Sequence, residues 1–261
     1  MQRFLVLGYG IACYGTFLIV FLYTIGFVTN FAVTDFGATN FAVPKSIDDG
    51  LRGELIPSLV IDGLLVGLFA VQHSVMARPP FKRVWTRIIP PAAERSTYVL
   101  FTSLALIILF WQWRPLPHVV WNLESPALRV VLWAINACGW GIVLVSTFLI
   151  DHFELLGLRQ VFFNFTKQSD RPGELKPGKL KKVGLYRLVR HPLMTGFLIA
   201  FWATPTMSVG HLFFAATMTA YILIAVQIEE RDLLAHFGAE YRSYQGEVGM
   251  LVPTFKRTNP P

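Results

Sequence analysis

Six apolar runs, at about 5–28, 57–77, 97–113, 128–150, 193–209 and 211–228, restrict what this chain can fold into. A helix needs roughly 17 to 25 mostly apolar residues to cross a bilayer. Inside hydrocarbon a helix is one of the few backbones that satisfy their own polar groups. Only 15% of the 261 residues are charged, against about 25% in soluble domains. The expectation is an all-α, polytopic transmembrane bundle of about six spans, forming one integral membrane domain over 1–261. The first run carries Tyr9, Tyr14 and Tyr23 but no charge. It lacks the basic head, short core and cleavage site of a signal peptide, so it reads as a span.

Lys and Arg then orient the spans. With the N-terminus inside, nineteen of the 23 fall in segments on the inner side, nine of them in the 151–192 connector. Only Lys45, Arg52, Arg114 and Arg129 fall outside. Positive charge collects on the cytoplasmic side, so both termini are expected there. The chain divides into four N-terminal spans (1–150), a basic cytoplasmic connector (151–192), a transmembrane hairpin (193–228) and a cytoplasmic tail (229–261). The net charge of +7 suits topogenesis and anionic lipid heads. Basic residues that flank spans form no stripe for nucleic acid. Cys13 and Cys138 sit in apolar runs, so neither a disulfide framework nor a metal site of usual zinc spacing is expected. No protein partner is implied.

The hairpin matters most. Its apolar runs, separated by Gly210, return Arg190-His191-Pro192 and Glu229-Glu230 to one membrane face, so charges some 38 residues apart can build one site. Pro205 is expected to bend the fifth span. Leu233, Leu234, Phe237, Tyr241, Tyr244 and Val248 recur at spacings of three and four, which predicts an amphipathic cytoplasmic helix. Asp62, near mid-depth of the second run, is a functional candidate by default, or a carboxylate paired structurally with another span. His73 closes the second run where a cytosol-facing pocket would open. Asp151, His152 and Glu154 crowd the end of the fourth, as site lining or as a solvated terminus. The Trp113–Trp121 connection reads as an interfacial aromatic belt.

Arg190-His191-Pro192-x-x-x-Gly196, a hairpin, Glu229-Glu230, then Gly238-x-x-Tyr241-x-x-Tyr244 resembles the C-terminal half of the isoprenylcysteine carboxyl methyltransferase and phospholipid methyltransferase superfamily. The blocks Phe69-Ala-Val-Gln72-His73 through Lys82, and Thr147 through Asp151-His152 to Gly157-Leu-Arg159, are similar to bacterial methanethiol S-methyltransferases. That similarity covers most of the chain. The superfamily often has Tyr two residues after the proline; here Met194 stands there, without a hydroxyl.

The resemblance implies S-adenosyl-L-methionine as cofactor, a small thiol as acceptor, membrane lipids as surroundings and a bacterial inner membrane as location. It implies a cofactor site from Tyr186, Arg190, His191, Pro192, Gly196, Glu229 and Glu230. In that reading Arg190 meets the cofactor carboxylate, while the glutamates meet ribose hydroxyls or the α-ammonium. A carboxylate set against the sulfonium would stabilise the ground state most, which does not raise the rate. The thiol must lose a proton to become strongly nucleophilic. His73 and His152 are the candidate bases, with Asp151 as a ring orienter. The rival acceptors on the same scaffold are a lipid amine and a prenylcysteine carboxylate. The rivals of another class are a non-enzymatic membrane protein and a transporter.

Overall fold

Five apolar runs become helices long and apolar enough to cross a membrane: α1 (Gln2–Thr29), α2 (Leu55–Met76), α4 (Glu94–Gln112), α5 (Pro126–Ile150) and α9 (Val209–Phe237). The computed structural model describes residues 1–30, 45–167, 180 and 182–254. The Lys176–Lys179 stretch of the basic connector, the outer 31–44 stretch and the tail beyond 254 lie outside those residues. Shorter helices cluster at the span ends: α3 (Pro79–Trp85), α6 (His152–Leu155), α7 (Leu158–Thr166), α8 (Pro192–Trp202) and α10 (Ala239–Glu247). Proline opens α3, α5 and α8, where its missing N–H would have lacked a helical partner anyway. The chain is an all-α, polytopic membrane bundle.

The fifth run departs from expectation. α8 has 11 residues, about 16 Å at ~1.5 Å per residue, too short for a hydrocarbon core of ~30 Å. Beyond Trp202 the chain extends into β2 (Thr206–Ser208), which pairs antiparallel with β1 (Val119–Asn122). Pro205 therefore bends no helix. It lies in the extended stretch, where its carbonyl accepts from Leu123 N at 2.9 Å. Gly210 does not separate a pair of spans either. It sits in the first turn of α9, its N–H donating to the Leu116 carbonyl at 3.0 Å. Among the described residues, five spans plus a half-helix stand where about six spans were expected.

The helix does not stop at 228. α9 runs unbroken for 29 residues, about 43 Å, and so outreaches the hydrocarbon and carries Glu229 and Glu230 on its emergent end. The expected amphipathic helix is split at Gly238, whose φ of 57° and ψ of −121° disfavour a side chain. That turn folds α10 back over the end of α9.

α5 and α8 pack most closely. A Cβ on Gly196 would stand 2.7 Å from the Gly139 carbonyl oxygen, and one on Gly139 would stand 2.7 Å from Ala200 N. Small residues let two membrane helices approach to backbone contact. Phe27, Phe110, Trp113, Trp140, Phe201 and Phe214 form the buried centre of the bundle, with Met194 packed against it.

Helix directions put the starts of α1, α4 and α8 and the ends of α2, α5 and α9 at one end, the basic end. At the far end, the 45–49 loop is drawn into the bundle. Ile47 is wholly buried and Lys45 Nζ donates to the Trp111 and Trp113 carbonyls at 2.9 and 2.7 Å. Trp113 is buried, not interfacial, its indole donating to the Ile47 carbonyl at 3.1 Å. Asp62 belongs to this plug: its Oδ1 accepts from Arg114 N at 2.8 Å, just past the end of α4. That is the structural reading of Asp62.

Candidate active site

Arg190, His191, Glu229 and Glu230 do converge. The chain at Val189 pairs with Gly249; Arg190 N donates to the Gly249 carbonyl at 2.8 Å and His191 N to that of Met250 at 3.1 Å. This pins Arg190-His191 beside the emergent turn of α9. Arg190 Nε then donates to Glu230 Oε1 at 2.7 Å, with both side chains about nine-tenths buried, 9% and 12% exposed. His191 Nε2 lies 3.2 Å from the same oxygen and Tyr241 Oη 3.3 Å from it. Gln245 Nε2 donates to Glu230 Oε2 at 2.9 Å. The other arm of Arg190 donates to the Val248 carbonyl and, at 3.3 Å, to that of Gln245.

Both groups are thus turned inward. A carboxylate offers about four lone-pair sites, and those of Glu230 are engaged by protein. Glu229 differs: its side chain is 51% exposed and its carboxylate stands 3.6 Å from His191 Nδ1. Tyr186 lies close by, its carbonyl accepting from the Tyr244 hydroxyl. Burial first, and then the Glu229 charge, push the Tyr186 phenol up. Burial likewise raises Tyr241, and Tyr244 to about 12, so all three remain donors. Pro192 opens α8, and Gly196 lies one turn on, where its missing side chain serves the contact with α5.

His152 is buried at 4% exposure, stacked on Phe148 with ring centroids 4.3 Å apart. Its Nδ1 lies 2.8 Å from Thr147 Oγ1, and its Nε2 lies 3.0 Å from Tyr14 Oη. The Thr147 hydroxyl also lies 2.7 Å from the Leu144 carbonyl, to which it can donate. When that hydroxyl donates to the carbonyl, the ring carries hydrogen on Nδ1 and turns its Nε2 lone pair to the Tyr14 hydroxyl. Burial pushes the imidazole down, partly countered by Asp151. Asp151 does not bond the ring. It caps α6 through Glu154 N at 3.0 Å and pairs with Arg159.

His73 sits within α2 against Phe69, with Tyr98 Oη 2.9 Å from Nε2 and Thr102 Oγ1 3.3 Å from Nδ1. Tyr98, Met76 and Leu156 form one buried cluster against which Tyr14 packs, which links the surroundings of the two histidines. Gly184 abuts Leu149 near the end of α5, and Arg78 pairs with Asp232 across α2 and α9. Both histidines and the Glu229 mouth therefore share the basic end. Sequence reasoning overlooked Tyr14, Tyr98 and Gln245. A phenol in an apolar span needs a partner for its hydroxyl, and that signal could have found the first two.

Residues 62–228 match the family model described as "NnrU protein". The chain is 50% identical to a methanethiol S-methyltransferase of Mycobacterium tuberculosis, over 97% of this chain and 98% of the relative. It is 47% identical to one of Crocosphaera subtropica, over 97% and 93%. A Nurim homolog of Drosophila pseudoobscura pseudoobscura is 30% identical over 67% of this chain and 70% of that protein. No solved structure matches.

Proposed function

Since the chain belongs to the NnrU family and to the methanethiol S-methyltransferases, we propose that it methylates methanethiol to dimethyl sulfide at its basic end, using S-adenosylmethionine. The observation that carries this reading is the pairing, at one end of the bundle, of a buried imidazole whose Nε2 meets the Tyr14 hydroxyl and a half-exposed carboxylate. The basic end faces the cytoplasm of a bacterial inner membrane. The charge asymmetry supports that orientation, and the bacterial relatives support the location.

The residues partly fit the methyl donor. Glu229, exposed beside His191 and Tyr186, offers a carboxylate for ribose hydroxyls or an ammonium. Arg190 and Glu230 are held by one another, so their role is to shape the floor of the site. Once bound, S-adenosylmethionine supplies an electrophilic methyl on a sulfonium. His152 Nε2 takes the thiol proton by way of the Tyr14 hydroxyl, which passes its own proton to the ring as it receives the thiol's. Thr147 fixes the tautomer. The donor would supply the methyl to the acceptor sulfur, and the products would be dimethyl sulfide, S-adenosylhomocysteine and one proton, which His152 would hold. Opposite charges diminish along this path, and a dry pocket favours that. His73, held by Tyr98 and Thr102, stands on the α2 side, and Asp151 orders the turn that presents His152.

The test is purified protein in lipid, supplied with S-adenosylmethionine and methanethiol, with headspace dimethyl sulfide followed by gas chromatography. Product that requires both reactants supports the reading. Folded protein that neither makes dimethyl sulfide nor binds S-adenosylhomocysteine overturns it.

A further inference from the structure

We propose that Gln245 is a positioning residue of the donor site: with Tyr241 it holds the Glu230 carboxylate in one orientation, and through it sets Arg190 and His191, leaving Glu229 to meet the methyl donor. This rests on the reading that the basic end binds S-adenosylmethionine.

The donors on Glu230 are unevenly shared. Arg190 Nε, His191 Nε2 and Tyr241 Oη all lie within 3.3 Å of Oε1. Oε2 takes its hydrogen bond from Gln245 at 2.9 Å. A carboxylate pulled by three groups on one oxygen is free to swing unless the other is held. Gln245 holds it, and its own backbone carbonyl accepts from Arg190 at 3.3 Å, so one residue touches both halves of the ion pair. α10 reaches this place because Gly238 turns the chain back, and the Tyr244 hydroxyl ties it to the Tyr186 carbonyl. An amide suits the position since it donates without charge. A second carboxylate there would oppose Glu230, and a lysine would compete with Arg190.

The discriminating variant is Gln245→Glu. At low pH the introduced carboxyl shares a proton with Glu230 and donates as the amide does. As pH rises the proton leaves, two carboxylates face one another, and like charges that close cannot both be accommodated. Glu230 then swings away from Arg190 and His191. The measurement is the calorimetric dissociation constant of S-adenosylhomocysteine for parent and variant from about pH 5.5 to about pH 8, with thermal midpoints to show that both are folded. The variant-to-parent ratio is expected near one at the acid end. It is expected to rise about tenfold or more by the alkaline end, the equivalent of one pKa unit of repulsion. Arg190, His191, Glu229, Tyr186, Tyr241, Tyr244 and the Lys182–Glu247 pair also face this site. They are common to both proteins, so their titration cancels in the ratio. Gln245→Leu, lacking the donor, is expected to weaken binding with no slope in pH. A ratio for Gln245→Glu that is flat with pH while the parent binds overturns the positioning role alone. A folded parent that does not bind S-adenosylhomocysteine overturns the donor reading, and the proposal with it.

Discussion

The two ends of the bundle are built from the same kinds of side chain and differ in one respect. At the far end Asn30, Ser46, Asp48 and Ser208 bond one another, and Lys45 and Asp62 bond the backbone at the end of α4. Burial raises the Asp48 carboxyl and lowers the Lys45 ammonium, so both are biased towards neutrality. At the basic end Arg190 and Glu230 are equally closed, yet Glu229 next to them is half exposed, and His152 offers a lone pair to a hydroxyl. A buried polar network is thus no mark of a site by itself. Nor is an outward-facing member, since exposed Asp49 accepts from Ser46 in the far-end network; the basic end differs in setting its half-exposed carboxylate beside an imidazole, His191, at 3.6 Å.

The largest expected effect tests how closed the Arg190–Glu230 pair is. Arg190→Met strands a buried carboxylate, a change that typically costs about 3–5 kcal/mol. Thermal unfolding in lipid should show it, and a loss under ~1 kcal/mol would mean the pair is solvated. Tyr14→Phe is expected to lower kcat by about 10²-fold, the lower range for a lost proton-transfer group. Its stability should change by only ~1 kcal/mol, one net hydrogen bond. An unchanged kcat would move the base role to His73. At the far end, Asp62→Leu leaves the Arg114 amide without its acceptor, at a cost of about 1–3 kcal/mol. The rate per folded molecule should stay within about twofold, since the proposed chemistry lies at the basic end; a large drop in kcat would end the contrast between the two ends. The smallest effect is in pH. His152 is held neutral by burial, so its folded value lies below that of the unfolded chain. Its contribution is intact above the unfolded value of about 6.5 and is lost as pH falls towards the folded value. The thermal midpoint of the parent should therefore fall on acidification more steeply than that of His152→Gln.

Much of the fold was legible because hydropathy reports directly on burial in lipid. The first four spans match the apolar runs within a few residues. The fifth run misled because α8 is apolar for a different reason. It is wedged against α5 through Gly139 and Gly196 and completed by a strand, and composition does not separate a buried half-helix from a span. Gly238 carried the signal for the turn that the period-3.6 pattern overran. In the site, adjacency across the hairpin was readable from the two charge clusters. The division of labour between Glu229 and Glu230 was not, because it depends on which face of α9 the returning α10 covers. The role of Asp62 turned on depth: it lies within two turns of the helix start, opposite the end of α4, where a carboxylate has a backbone amide to accept from.

The most direct test of the account uses sealed membrane vesicles of opposite orientation, supplied with methanethiol and with S-adenosylmethionine, a charged molecule that does not cross the bilayer. In the proposed reading the basic end is the active end and faces the cytoplasm. Inside-out vesicles should therefore release dimethyl sulfide at once, and right-side-out vesicles only after permeabilisation. Turnover by intact right-side-out vesicles, with none from inside-out ones, would contradict the account and move the chemistry to the far end, whose network would then be more than structural.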